Sequence, residues 1–209
     1  MKLIIFGASG RTGHQLVRHA LDAGHKVTGF VRDPSKMSIS HPDLNLICGK
    51  ITDADFVNQS LNGHEVVFSA LGAASPFKFD QDVIDGFSNI IKGMKSNEIQ
   101  RLIYESFAGV SESRNSTGFI IRNVAPILLK TEIQGHELRE QMIRDSSLQW
   151  TIVRPVTLTN STKEKKYRFG ERINGNGFAN TISRSDVAQF MLQQIDDKNF
   201  VQRAPMIMY

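Results

Sequence analysis

The stretch IIFGASGRTGHQL, residues 4–16, spaces Gly7, Gly10 and Gly13 three residues apart directly behind an apolar run. No other part of the chain constrains the fold as strongly. KLIIF (2–6) is short, apolar and β-forming, as a strand buried on both faces must be. From Arg11 to Ala23 the residues Leu16, Val17, Ala20 and Leu21 recur at helical spacing, and Gly24 is a usual helix C-terminal residue. The glycines therefore mark a strand-to-helix junction. Two readings are open there: a plain turn, or a loop whose backbone amides receive an anion.

The alternation continues along the chain. Strands are predicted over 26–32, 45–49, 65–71, 101–106 and 149–155, with DPSK (33–36) as a turn. A short helix is predicted over 54–61, capped by Thr52 or Asp53. Another covers 81–95, with Val83, Ile84, Phe87, Ile90, Ile91 and Met94 at i, i+3, i+4 spacing. A long one runs from about 126 to 145, with Pro126 near its first turn. Strands alternating with helices over short links predict a parallel sheet covered on both faces. Right-handed crossovers make this a doubly wound, Rossmann-type α/β fold. Residues 156–182 are polar and glycine-bearing, and predict irregular structure with short strands on the substrate side. Ser183 and Asp186 have the spacing of an N-cap pair for a helix to 195, and PMIMY (205–209) offers a last strand. With no linker, repeat or low-complexity tract, residues 1–209 read as a single domain with a small C-terminal substrate-side region.

Composition excludes several classes. A hydrophobic content of 40% and a charged content of 22% are ordinary for a globular protein. No apolar run approaches the ~20 residues that span a bilayer. LIIFG leads straight into the glycines, so neither a leader peptide nor a membrane partner is expected. The single cysteine, Cys48, rules out an internal disulfide framework and points to a cytoplasmic protein. The net charge of +4 is spread along the chain, and the one tight run, KEKKYR (163–168), is interrupted by Glu164. That is a solvated face rather than a nucleic-acid site, and the excess suits an anionic cofactor. The six histidines contain no H-x-x-x-H pair, so no metal is expected. No Gly-x-Ser-x-Gly elbow is present. A monomer or small homo-oligomer is expected.

In their strand-to-helix context the three glycines favour a dinucleotide over a plain turn. Gly7 lets the chain leave the strand, Gly10 lets backbone approach a pyrophosphate, and Gly13 lets the helix pack close to the sheet. The second strand indicates which dinucleotide. NAD sites place Asp or Glu about 20 residues beyond the glycines; here the strand ends in Arg32, whose guanidinium suits a 2′-phosphate, with Arg11 and Lys36 adding charge. Asp33 stands next to it. The expected cofactor is NADP(H) in preference to NAD(H).

GASGRTG, VRDPSK, SALG, LQWTIVRP and ISRSDVAQFML together resemble the atypical short-chain dehydrogenase/reductases. Within them the chain is similar to the NAD(P)H-binding group that includes biliverdin-IXβ reductase/flavin reductase and NmrA-like proteins. The likeness runs through nearly the whole chain. It implies that Gly7, Ser9, Gly10, Arg11, Thr12 and Gly13 form the phosphate loop, and that Arg32 meets the 2′-phosphate. It places Ile51 and Asp53 in the adenine-side turn, and Ala70, Leu71 and Gly72 beside the nicotinamide ribose. Ser106 would lie over the nicotinamide, and Arg154, Pro155 and Val156 along the substrate side. Two positions depart from the pattern. Lys50 follows Gly49 where many relatives have Asp, and Val156 stands where tetrapyrrole-reducing members carry His.

The Tyr-x-x-x-Lys relay of the wider superfamily is absent: Ala108 stands four residues after Tyr104, Glu171 four after Tyr167, and Tyr209 is terminal. Alcohol–ketone chemistry by that relay is therefore not expected. Hydride transfer to a planar conjugated acceptor such as a flavin or quinone needs less from the protein, because positioning the two rings supplies much of the catalysis. Ser106 either bonds the acceptor or nicotinamide, or is a satisfied strand-end hydroxyl. His136 either donates a proton, at a point where related sequences often have Lys, or pairs with Glu140 one helical turn on. The segment 106–123 reads as a flap or a surface connection. The function expected is an NADPH-dependent reductase of an aromatic small molecule. The alternative is a non-catalytic NADP(H)-binding redox sensor of the NmrA kind; an epimerase or dehydratase would again want the missing tyrosine.

Overall fold

The computed structural model describes residues 1–73, 75, 78–161, 165–175 and 177–209, so Lys163 and Glu164 of the basic run lie outside the described residues. Strand β1 (Lys2–Phe6) leads into α1 (Arg11–Asp22), β2 (Lys26–Val31), β3 (Leu44–Cys48), α2 (Ala54–Leu61), β4 (Val66–Ser69), α3 (Gln81–Ser96) and β5 (Arg101–Glu105). Then follow α4 (Ala125–Leu128), α5 (Lys130–Arg144), β6 (Gln149–Pro155), β7 (Thr157–Thr159), β8 (Arg168–Gly170), β9 (Thr181–Ser183), α6 (Arg184–Gln193) and β10 (Met206–Met208). The main sheet has the order β3-β2-β1-β4-β5-β6-β10-β8. It is parallel up to β10, and β8 adds an antiparallel edge. The strands β7 and β9 pair separately. This is the Rossmann-type α/β arrangement expected from the alternation. The chain winds outward from β1 in both directions, so a crevice opens where β1 and β4 part at their C-terminal ends.

Period-two alternation puts Leu3 and Ile5 of β1 on the face covered by α1 and α6, and Ile4 and Phe6 on the face covered by α2, α3 and α5. The apolar stripe predicted for α1 (Leu16, Val17, Ala20 and Leu21) is buried, as is that of α3. Each buried Leu, Val, Ile, Phe or Met among them contributes roughly 1.5–3 kcal/mol. These helices are thus anchored by their apolar faces, which fixes where their N-termini meet the crevice. Asp53 caps α2 by accepting the Phe56 N–H at 3.0 Å. Ser183 accepts the Asp186 N–H at 3.0 Å and returns a 2.7 Å hydrogen bond to the Asp186 carboxylate, as their spacing predicts.

Three elements differ from the sequence expectation. Strand β4 ends at Ser69 rather than at 71, so Ala70–Gly72 leave the sheet as a loop over the crevice. The long helix expected from 126 breaks at Leu129 (φ −116°, ψ 28°), with a π-turn over Ile120–Val124 before it. The break lets Ile127 (79% exposed) stay outside while α5 turns a largely polar face inward. Residues 106–123 are also more packed than a free flap. Ser106 and Ala108 continue the pairing with β6 through Val153 and Pro155, and Ser113 Oγ donates to the carbonyls of Ala108 and Val110.

Candidate functional site

The glycine loop is sterically closed. Gly7 has φ +82°, and a Cβ there would lie 2.6 Å from the Ala70 carbonyl oxygen. A Cβ on Gly13 would lie 2.1 Å from the Gly7 carbonyl oxygen. Only glycine lets α1 start this close to β1 and β4. Helix α1 begins at Arg11 with Gly10 as its N-cap, without a side-chain cap and without an acidic residue in its first turn. Its first N–H groups thus face the crevice as an anion cradle, reinforced by the helix dipole. The Thr12 hydroxyl instead turns inward and donates to Glu105 at 2.9 Å, so this residue offers the crevice only backbone.

A cleft of about 550 Å³ runs from this loop across the ends of β1, β2 and β4. It is lined by Gly7, Ser9, Gly10, Arg32, Ile51, Ala70, Leu71 and Gly72, eight of the residues singled out from the sequence. Arg32, Lys36 and Lys50 bring three cations to one end. Asp33 is not among the described lining residues; its carboxylate accepts from Ser35 N–H (3.0 Å) and Oγ (2.6 Å). Those bonds hold its pKa below the usual carboxylate range. The Oδ1 of the acid next to Arg32 is thus engaged in a local turn, and the carboxylates among the described lining of the cleft are Asp80 and Asp82. Ile51 is fixed by Asn89, which donates to its carbonyl at 3.1 Å. Asp53 serves as the α2 cap and is absent from the described lining.

The opposite end of the cleft is held by α5. Arg139 donates to the Leu71 carbonyl at 2.6 Å and Glu132, 3.9 Å from the Arg139 guanidinium, accepts the Ala73 N–H, so two side chains of α5 hold the loop. On the same face lies a buried network. Tyr104 Oη and His136 Nδ1 are 2.7 Å apart, and His136 Nε2 is 3.2 Å from Glu132. Burial, and then Arg139, lowers the His136 pKa, while burial raises that of Tyr104. The imidazole is therefore neutral at neutral pH, accepting from the phenol and donating to Glu132. Ser106 Oγ donates to Glu140 at 2.6 Å, and Arg154 grips Glu140 through Nε (3.0 Å) and Nη2 (2.5 Å) and reaches Glu112 at 2.6 Å.

Ser106 and His136 are thus both buried and both committed to protein partners, and neither lines the cleft among the described residues. His136 faces Glu132 and Tyr104 rather than Glu140, correcting the pairing suggested by its spacing. Pro155 sits in the sheet, its carbonyl accepting from Ala108. Sequence reasoning missed Glu105, Glu132 and Arg139. The signal for two of them was present: Glu132, His136, Arg139 and Glu140 recur at i, i+4, i+7 and i+8, the stripe usually filled by apolar residues. For Glu105 the only sign was a carboxylate ending a strand buried on both faces.

Comparison with known proteins bears on the family and the fold. A family model described as NAD(P)H-binding matches residues 7–198. An anthocyanidin reductase from Arabidopsis thaliana is 30% identical over 135 residues, covering 56% of this chain and 39% of its own length. A short-chain dehydrogenase/reductase structure from Veillonella parvula superposes with a TM-score of 0.83 at 21% identity, over 99% of this chain and 93% of that one. An anaerobillin reductase from Escherichia coli O157:H7 gives a TM-score of 0.80 at 18% identity, over 99% and 96%. The chain spans well under half the length of the first curated relatives it matches. No helix among the described residues is long and apolar enough to cross a membrane.

Proposed function

The chain belongs to the NAD(P)H-binding family, and from that premise we propose that it is an NADPH-dependent reductase, residues 1–209 acting as one domain, that passes hydride to a planar conjugated acceptor such as a flavin or quinone. The cleft carries this reading: a capless helix start at one point of its floor and Arg32, Lys36 and Lys50 together at one end. The dinucleotide, when bound, supplies the hydride. The chain's own residues bind and orient. Backbone amides at Arg11–Gly13 take the diphosphate, the Gly10 N–H being given to the Gly7 carbonyl at 2.9 Å, and the three cations take a 2′-phosphate that NADH lacks. Lys50 adds to the phosphate side. Ala70–Gly72, held by Arg139 and Glu132, set the nicotinamide end.

The described lining of the cleft favours this acceptor class. No tyrosine is among its described lining residues. Tyr104 is committed to His136, and the Tyr209 hydroxyl is bonded to Asp186 and Ser183. A carbonyl reduced to an alkoxide would want a proton donor there; a flavin or quinone delocalises the charge it gains. The reductase names of the Arabidopsis relative and the Escherichia coli fold neighbour support the class.

The test is steady-state oxidation of NADPH with FMN, FAD and a set of quinones. Saturable turnover of at least one acceptor is the expected result. Tight NADPH binding with only background oxidation would sink the reductase reading and leave a redox sensor.

A further inference from the structure

A second cavity, of about 520 Å³, adjoins the cleft through Ser9 and Gly10 but runs along the outer face of α1. Three guanidinium groups line it, among them Arg11, which was expected to add charge beside Arg32 but is absent from the described lining of the cleft. Arg11 and Arg18 lie two turns apart on α1, and Arg184 opens α6. Asn160 and Ser161 close the far side, following β7, and Arg184 and Ser185 follow β9. The cavity thus lies between the glycine loop and the small β7–β9 ribbon of the substrate-side region.

Among the described residues its charge is uncompensated from within. No carboxylate is among the described lining residues, and neither Arg11 nor Arg18 forms an ion pair among the described residues. Arg184 donates to Asn160 Oδ1 at 2.7 Å, a neutral partner. Burial, and then the charge of Arg11, lowers the Arg184 pKa, so these cations feel one another. The carboxyl whose charge Arg184 does feel, Glu105, is itself pushed up to about 7 by burial and compensates only in part at neutral pH. His14 bonds Ser38, and burial together with Arg18 keeps it toward the neutral form. Three guanidinium forks lining one cavity, with no acid among the described lining residues, suit a phosphate or carboxylate oxygen set. The anionic groups of the dinucleotide already have places, at the glycine loop and at Arg32, Lys36 and Lys50.

We propose that this cavity is an anion subsite in which Arg11, Arg18 and Arg184 hold a phosphate or carboxylate borne by the hydride acceptor. The inference rests on the reductase reading above. FMN and riboflavin share one ring and differ in a phosphate, so they separate the two claims. Flavin binding is measured by fluorescence quenching in the presence of saturating NADP⁺, for the unmutated protein and for the Arg18→Gln and Arg184→Gln variants. FMN is expected to bind roughly tenfold or more tighter than riboflavin. Each variant is expected to lose most of that advantage while its affinity for riboflavin stays unchanged. Inorganic phosphate at millimolar concentration is expected to compete with FMN and not with riboflavin.

Equal affinity for the two flavins, an FMN advantage that survives in both variants, or no flavin binding at all overturns the subsite. Phosphate binding that is lost in the variants without any preference for FMN also overturns it, since the cavity then takes free anions only. A preference for FMN without NADPH turnover removes the reductase reading and leaves an anion site for a bound flavin phosphate, with no hydride acceptor in it. Equal turnover of both flavins without that preference does the reverse.

Discussion

Arg139, buried on α5, donates a 2.6 Å hydrogen bond from Nη1 to the carbonyl oxygen of Leu71 on the rim of the cleft. Its Nε returns to the Gly135 carbonyl one turn back, at 2.9 Å, and its guanidinium lies over the Tyr104 ring. The side chain therefore ties the helix to the loop that β4 releases when its pairing stops at Ser69. Arg139→Met removes the grip and leaves the Leu71 carbonyl and Glu132 short of a partner. Stability is expected to fall by about 2–4 kcal/mol in urea denaturation. NADPH affinity, read by calorimetry, is expected to fall about tenfold. Unchanged affinity in a destabilised variant would limit Arg139 to a role in folding.

Gly13→Ala places a Cβ 2.1 Å from the Gly7 carbonyl oxygen, a contact that only backbone movement can relieve. A loss of roughly 2–4 kcal/mol is expected, with cofactor binding abolished. Gly72→Ala is the contrast: a Cβ there meets nothing within 4 Å, so the melting temperature should hold. A large loss of stability at Gly72 would show that the loop packs differently from the arrangement described.

Arg32→Glu replaces a cation at the phosphate end of the cleft with a repelling charge. Charge-assisted hydrogen bonds contribute about 1.5–3 kcal/mol, so NADPH affinity should fall at least about tenfold while NADH is little affected. Calorimetry with both cofactors checks the pair. Equal binding of NADPH and NADH by the unmutated protein would refute the proposed preference.

Glu105 gives stability a pH signature. Burial is the main cause that raises its pKa from 4.5 to about 7, opposed by the Thr12 hydrogen bond and the Arg184 charge. In the folded chain it keeps its proton between those values, whereas the unfolded chain has released it. Folding is thus penalised progressively as pH rises from about 4.5 to about 7, and the penalty is constant above. Glu105→Gln still accepts from Thr12 but carries no charge. The variant is expected to gain about 2–3 kcal/mol relative to the unmutated protein at pH 8 and little at pH 4. Denaturant midpoints across this range test it, and parallel profiles for the two proteins would exclude the titration.

Ser106→Ala distinguishes chemistry from support. With the hydroxyl given to Glu140 at 2.6 Å, its loss should lower stability by about 1–2 kcal/mol. The turnover number should change less than about threefold. A fall of 10²-fold or more, the scale typical of a proton-transfer group, would return Ser106 to the reaction itself.

The parts legible in the sequence were those whose cause is local. The apolar runs of β1 to β6, the stripe Leu16, Val17, Ala20 and Leu21 on α1, and the caps Asp53 and Ser183 each follow from periodicity or from hydrogen bonds within a few residues. The break at Leu129 was not legible, because it answers to how α5 must turn to set Glu132, His136, Arg139 and Glu140 against the sheet.

By itself, then, the sequence determined the Rossmann-type order of strands and helices and the glycine loop at its first crossover, since backbone sterics and side-chain period act between near neighbours. Only the tertiary structure decided which polar groups face the cleft. It turned Ser106 to Glu140 and His136 to Tyr104, and it set Thr12 on Glu105, 93 positions away. It also gathered Arg11, Arg18 and Arg184 around one cavity. Those meetings depend on which faces of distant elements are pressed together, and no spacing within a single element encodes them.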